Sequence, residues 1–179
     1  VSDERRTSGS AEPPISREAG TLGGEGARTT ELPSHSLPDA VARHLDKHGD
    51  IVVFCRDDEG RPIGYPMRIM RRVESELLFS TYAKSAKVHH LENDPSVAML
   101  SMRTEGRDHV SWLRMTGHAS LWSPDEAELD ELFTAGPGEQ RVPDSMGALV
   151  RQRTLEGKRI VLRVAIDEPH RLQLEEGTL

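Results

Sequence analysis

The apolar runs of this chain between Ile51 and Ile166 are joined, with few exceptions, by links too short to hold a parallel crossover. The first run, IVVFCR, reaches the next across Asp57-Asp58-Glu59-Gly60, a hairpin loop with Gly where a positive φ is needed. The return run from Pro62 to Met70 is interrupted by Gly64 and Pro66, so it needs an edge position, a bulge or backbone opened toward a ligand. Arg71-Arg72 and Glu74-Ser75-Glu76 then turn into Leu77–Thr81. SVAMLSM (Ser96–Met102), the long run His109–Trp122 and RIVLRVAI (Arg159–Ile166) complete six strands, and Gly117 is read as a bend or bulge. Six antiparallel strands with one helix inserted midway predict an α+β chain, mainly β, forming a small closed or nearly closed barrel rather than a doubly wound sheet.

Helical segments flank these runs. Ser36 is placed to cap a first helix, with Pro38 in its first turn, Gly49 at its end, and Val41, Leu45 and the stem of Lys47 facing inward. Ser123 caps a helix over Asp125–Phe133, with Pro124 at its first position and Glu126 as the capping-box acid. A further helix spans about Asp144–Leu155 after a Gly- and Pro-rich loop over Ala135–Pro143. Residues 1–34 are rich in Ser, Gly, Glu, Pro and Thr and nearly empty of large apolar side chains, which predicts a disordered tail. The barrel domain is placed at 35–167, and 168–179 reads as a C-terminal tail.

The stretch LLFSTYAKSAKVHHLENDP, Leu77 to Pro95, carries the chemistry. A buried strand runs through Ser80 and Thr81 into a helix that starts at Lys84 or Ser85, with Ala86, Val88 and Leu91 inward. The free N–H groups of a first helical turn and its positive dipole end then face the same point as Lys84 and Lys87, which makes an anion site. The alternative is that Ser85 only caps the helix and both lysines are solvated.

Other chemistries are poorly served. A net charge of -7 argues against a nucleic-acid binder. No run has the length of a membrane span or the apolar core of a signal peptide, and a single Cys55 inside IVVFC reads as inert core in a reducing, cytoplasmic protein. His44 and His48 stand i, i+4 on the first helix, but a zinc peptidase needs Glu where Leu45 stands and no third ligand is evident, so they read as solvated. His89 and His90 are chain neighbours and cannot both face one ion. No metal ligand set, serine nucleophile or protein acid–base catalyst is assigned.

Five pieces in order carry a resemblance: Gly60-Arg61-Pro62; Phe79-Ser80-Thr81 followed by Ser85-x-Lys87; Leu91-x-x-Asp94-Pro95-x-Val97; and, in the long strand, Trp112-Leu113-Arg114-Met115 with Thr116-Gly117-His118-Ala119. Over about Leu37–Ile166 the chain resembles the split β-barrel proteins related to pyridoxamine 5'-phosphate oxidase, the flavin/deazaflavin-dependent oxidoreductases. That resemblance implies a six-stranded antiparallel split β-barrel and a homodimer binding FMN, or the deazaflavin coenzyme F-420, between the two barrels. It implies that Ser80 and Thr81 line the ring or its ribityl chain and that Lys84, Ser85 and Lys87 hold the phosphate. Arg68 is similar to a phosphate-binding arginine of the oxidases, at a shorter spacing to Thr81. Trp112 either flanks the ring or is a core or interface aromatic. After Ile166 the chain reads DEPHRLQLEEGTL, without the Arg-, His- and Trp-rich pattern with which the oxidases bind pyridoxal phosphate, so a different small-molecule substrate is expected. Arginine outnumbers lysine, as in chains from GC-rich genomes where the deazaflavin is often the family's cofactor. The implied activity is hydride transfer to or from a small molecule; the alternative is a non-catalytic flavin- or haem-binding split barrel, since haem-handling relatives share the architecture.

Overall fold

The computed structural model describes residues 36–105, 108–133 and 144–178. The tail expected over 1–34 and the loop expected over 135–143 lie outside the described residues. The elements are α1 (Asp39–Lys47), β1 (Asp50–Arg56), β2 (Pro62–Val73), β3 (Glu76–Tyr82), α2 (Ala86–Asn93), β4 (Ser96–Glu105), β5 (His109–Trp122), α3 (Glu126–Phe133), α4 (Asp144–Leu155), β6 (Arg159–Ile166) and β7 (Glu175–Thr178). Strand order β4-β1-β2-β3-β6-β5, with β4 pairing back onto β5, closes a six-stranded antiparallel barrel.

Alternation along each strand fills the interior. Ile51, Val53 and Cys55 from β1 meet Leu77 and Phe79 from β3, Val97 and Met99 from β4, Leu113 and Met115 from β5, and Leu162 and Val164 from β6. Val41 and Leu45 of α1 and Leu91 of α2 join the same core. Few aromatics are available, and Phe79 is the largest fully buried side chain. On the outer face Met70, Leu78 and Val161 form a second cluster, against which Trp122, Leu132, Phe133 and Val150 pack.

The β2–β3 ladder runs from Val73↔Glu76 to Ile69↔Phe79, with a register shift between Ile69 and Arg71, and stops there. Beyond it, Pro62–Arg68 is paired only with β1, and Ser80–Tyr82 only with β6. Here the barrel splits. Pro66 lies in the open half of β2, where a missing N–H on one side disturbs no second ladder, which accounts for a proline inside an unbroken strand.

Several local expectations are corrected. Gly117 is no bulge: it pairs in register with Val97 and Ile166, and a Cβ there would sit 2.4 Å from the Ala165 carbonyl oxygen, so the glycine allows close strand approach. Pro38, not Ser36, occupies the cap position of α1, and the inward face takes His44 while Lys47 is exposed. His44 is therefore not solvated; its Nε2 lies 2.9 Å from Ser101 Oγ, and it is 6% exposed. The capping box of α3 is Asp125 and Glu128, two residues later than Ser123 and Glu126: Glu128 N donates to Asp125 Oδ1 and Asp125 N to Glu128 Oε2. In α2 the inward face is Val88, His90 and Leu91, and Ala86 is exposed. The segment expected as a tail is structured: Pro169–Arg171 makes a 3-10 turn, and β7 pairs with the His109–Trp112 half of β5, on the side that β6 occupies further along.

Candidate functional site

The split brings the pivotal residues to the end of β3. Strand alternation sends Ser80 and Thr81 to opposite faces. Thr81 is buried, 2% exposed, beside the start of α2. Ser85 holds the N-cap position of α2 without capping it; its Oγ instead approaches Thr81 Oγ1 at 3.5 Å. The hydroxyl is thus left on the Thr81 side, and the first turn of α2 keeps N–H groups that no side chain caps.

Lys87, in that first turn, folds back from solvent. Its Nζ donates to Thr81 Oγ1 at 3.3 Å and lies 5.2 Å from the centroid of the Tyr65 ring. Burial pushes its ammonium below the ordinary lysine range, and the positive charge of Arg159 adds to the effect. Arg159 begins β6, opposite Tyr82, and serves the other face of the strand end. Its Nε donates to Ser80 Oγ at 2.9 Å and its Nη2 to the Ser80 carbonyl at 3.2 Å, while its guanidinium stacks 4.5 Å from the Tyr82 centroid. Arg153 of α4 reaches the Tyr82 hydroxyl at 3.1 Å. Among the described residues neither Lys87 nor Arg159 has an ion-pair partner. Lys87, Arg159 and the hydroxyls of Ser80, Thr81 and Ser85 around one strand end, with no carboxylate paired to either cation among the described residues, are chemically suited to an anionic oxygen-rich group.

The structure therefore brings together Thr81, Ser85 and Lys87, with Ser80 on the opposite face of the same strand end, held by Arg159. It does not bring in the others. Lys84 is exposed. Arg68 is exposed on β2 and faces Asp50 at 3.8 Å. Trp112 lies in β5 between Met102 of β4 and Glu175 of β7, with its ring against Gly177, where an added Cβ would come within 3.0 Å. Sequence reasoning missed Arg159, Arg153 and Tyr65. The first two stand here because β6 pairs with β3 across almost eighty positions, for which local sequence carries no signal. Tyr65 could have been suspected from its place between Gly64 and Pro66 in the interrupted run.

Grooves formed by described residues lie on other parts of the barrel. One of about 840 Å³ lies along Ala98, Leu100, Arg114 and Thr116 beneath the segment Asp167–Glu175, and one of about 310 Å³ lies between α1, His109 and Glu176. In the second, His48 is engaged by Arg103. Cys55 is buried, and its thiol is pushed up first by burial and then by Asp94 and Asp57, so it stays protonated in the core. Among the described residues no helix is long and apolar enough to cross a membrane.

Solved structures show where this fold recurs. A conserved hypothetical protein of Mycobacterium tuberculosis superposes with a TM-score of 0.56 at 19% identity, covering 83% of this chain and 90% of that one. The haem storage protein HutZ of Vibrio cholerae gives 0.57 at 11% identity, covering 80% and 95%. A Clostridium acetobutylicum protein related to general stress protein 26, of the pyridoxine phosphate oxidase family, gives 0.53 at 12%, covering 78% and 92%. At such identities these likenesses speak to the fold alone. No curated protein matches the sequence. The family model described as pyridoxamine 5'-phosphate oxidase matches residues 37–171, from the start of α1 through β6 to the 3-10 turn, and the chain belongs to that family.

Proposed function

We propose that the end of β3 binds the phosphate of a ring-bearing redox cofactor, FMN or alternatively the deazaflavin coenzyme F-420, and that the protein is an oxidoreductase acting on a small molecule. The supporting observation is the cation set: Lys87 stays part-buried at a cost to its own charge, within electrostatic reach of Arg159, and among the described residues no carboxylate pairs with either. A structural lysine gains most by reaching bulk solvent or an acid; this one is part-buried against Thr81 and Tyr65, with no acid partner among the described residues. Lys87 and Arg159 would hold the phosphate, Thr81 and Ser85 would donate hydroxyl hydrogen bonds, and Ser80 orients Arg159. A flavin or deazaflavin, when bound, supplies hydride transfer through its own ring. The chain's part is then to anchor, orient and exclude water, and we assign it no acid or base. Lys84, Arg68 and Trp112 stand apart from this group within their own subunit, and no role is assigned to them at this strand end. The expected assembly is a cytoplasmic homodimer with the cofactor at the subunit interface, which sedimentation of the flavin-loaded protein checks.

The absorbance of the protein as purified tests this reading, together with mass spectrometry of whatever denaturation releases. Flavin or deazaflavin bands are expected. A Soret band would move the protein to haem binding, and a colourless sample that takes up neither cofactor sinks both.

A further inference from the structure

Tyr65 projects from the open half of β2, where that strand has lost β3 as a neighbour. It is part-buried and packs against the barrel core. Its hydroxyl lies 3.1 Å from Nδ1 of His90, a side chain only 8% exposed. Lys87 and His90 are three residues apart on α2 and so share one helix face. Tyr65 lies across that face, gripped at its hydroxyl by His90 and with its ring 5.2 Å below the Lys87 ammonium. The ring centroid distance is within the range in which an ammonium is attracted to an aromatic face.

A lysine has four rotatable bonds and a strongly hydrated head, and left alone it would extend into water. Here two contacts draw it back: the Thr81 hydroxyl at one end and the Tyr65 face beneath. The ring cannot swing away without giving up the His90 bond. The other groups near this string are Arg159, which repels the ammonium, exposed His89, and Cys55, Asp57 and Asp58, which act on Tyr65.

We infer that Tyr65 is a positioning residue: its ring, tethered through its hydroxyl to His90, seats the Lys87 ammonium at Thr81 so that the cation is preset for an anionic group. The inference rests on the phosphate-site reading for its purpose, but not for its geometry, and the test separates the two.

The titration of the Lys87 ammonium is followed by NMR in the ligand-free protein, alongside affinities for inorganic phosphate and FMN. Three proteins are compared: wild type, Tyr65→Phe and Tyr65→Leu. Phe keeps the aromatic face but gives up the His90 tether, and is expected to lower the Lys87 midpoint only slightly and to weaken both ligands by no more than about twofold. Leu occupies similar space without a face and is expected to lower the midpoint and weaken both ligands by about fivefold. Tyr65→Met, also faceless, replaces Leu if that variant does not fold. A Lys87 midpoint unmoved in the faceless variants overturns the inference. So does an equal loss in Tyr65→Phe, which would transfer the role to the His90 bond. Wild-type protein that binds neither phosphate nor FMN, while its Lys87 midpoint still follows the ring, would remove the proposed function and leave the seat standing.

Discussion

The two ends of β3 treat charge in opposite ways. At the Glu76 end Arg163 and Arg72 are paired with carboxylates, and Arg71 is held at a helix C-terminus. Arg163 donates to Glu76 Oε2 at 2.6 Å, and Arg72 makes a two-pronged pair with Asp46 at 2.9 and 2.8 Å. Arg71 donates to the carbonyls of Glu131 and Leu132, at the C-terminal end of α3. At the Tyr82 end, among the described residues, Lys87 and Arg159 bond only to hydroxyls, a carbonyl and aromatic faces. Closed pairs stabilise the fold they belong to; cations facing only neutral donors and acceptors keep their charge for something that arrives later. The ladder itself draws the boundary, since the closed end is where β2 and β3 pair and the open end is where they part.

The heaviest blow to this contrast falls on the residue at the boundary. Phe79 is wholly buried and forms the last rung of the β2–β3 ladder. Phe79→Ala is expected to cost about 3–5 kcal/mol, or roughly 10 °C in Tm, and to impair both ends together. Chemical denaturation with cofactor titration reads both; loss of affinity at full stability would mean that the ends are not joined through the core.

Next come the open-end cations. Lys87→Ala and Arg159→Ala should each lower FMN affinity about tenfold or more, since a charge-assisted bond to phosphate is worth about 1.5–3 kcal/mol, while Tm moves by no more than about 2 °C. Stability falling while affinity holds would return both residues to a structural role.

The mirror experiment is smaller. Arg72→Ala breaks a part-buried pair with Asp46 and is expected to cost about 1 kcal/mol, some 3 °C, with FMN affinity unchanged. A change in affinity here would blur the division between the ends.

The smallest effects concern pH. Asp57 is held below the usual carboxylate range chiefly by the Arg61 side chain, and Asp94 chiefly by the Ser96 backbone N–H. Folding favours their ionised forms, so their contribution is present above about pH 4 and fades as pH falls through the lower folded values. Lys87 has the opposite linkage. Its folded proton affinity is lowered, so ligand-free stability should rise with pH between that lowered value and the ordinary lysine range, about 10.4. Bound phosphate should flatten that rise. Thermal melts across pH, with and without phosphate, show whether it does.

How much of this could be read from the residues follows from the range of the interactions. Short links, a positive-φ Gly60 and the strand-to-helix passage at Ser85 are local, and they led to the barrel and to Lys87. Arg159 was invisible because its meaning lies in the Tyr82↔Arg159 rung, which joins distant parts of the chain. For Trp112 the resemblance left a ring-flanking and a core or interface aromatic both open, and the rungs to Met102 and Glu175 set its surroundings under β7. Gly117 and the α3 cap show a subtler limit. A glycine that allows two backbones to approach looks, in one dimension, like a glycine that bends a strand. Ser-Pro and Asp-x-x-Glu are both fair starts for a helix, and the surroundings choose between them.

The register shift after Ile69 reaches further than its single extra residue suggests. Up to Ile69 the odd-numbered side chains of β2 point into the barrel; past Met70, Arg71 turns outward to α3. One strand thereby lines the inner room with one end and fastens the outer wall with the other. Strict alternation over the same length would instead turn Arg71 toward the apolar interior, so the extra residue at Met70 is what lets one strand serve both sides of the wall.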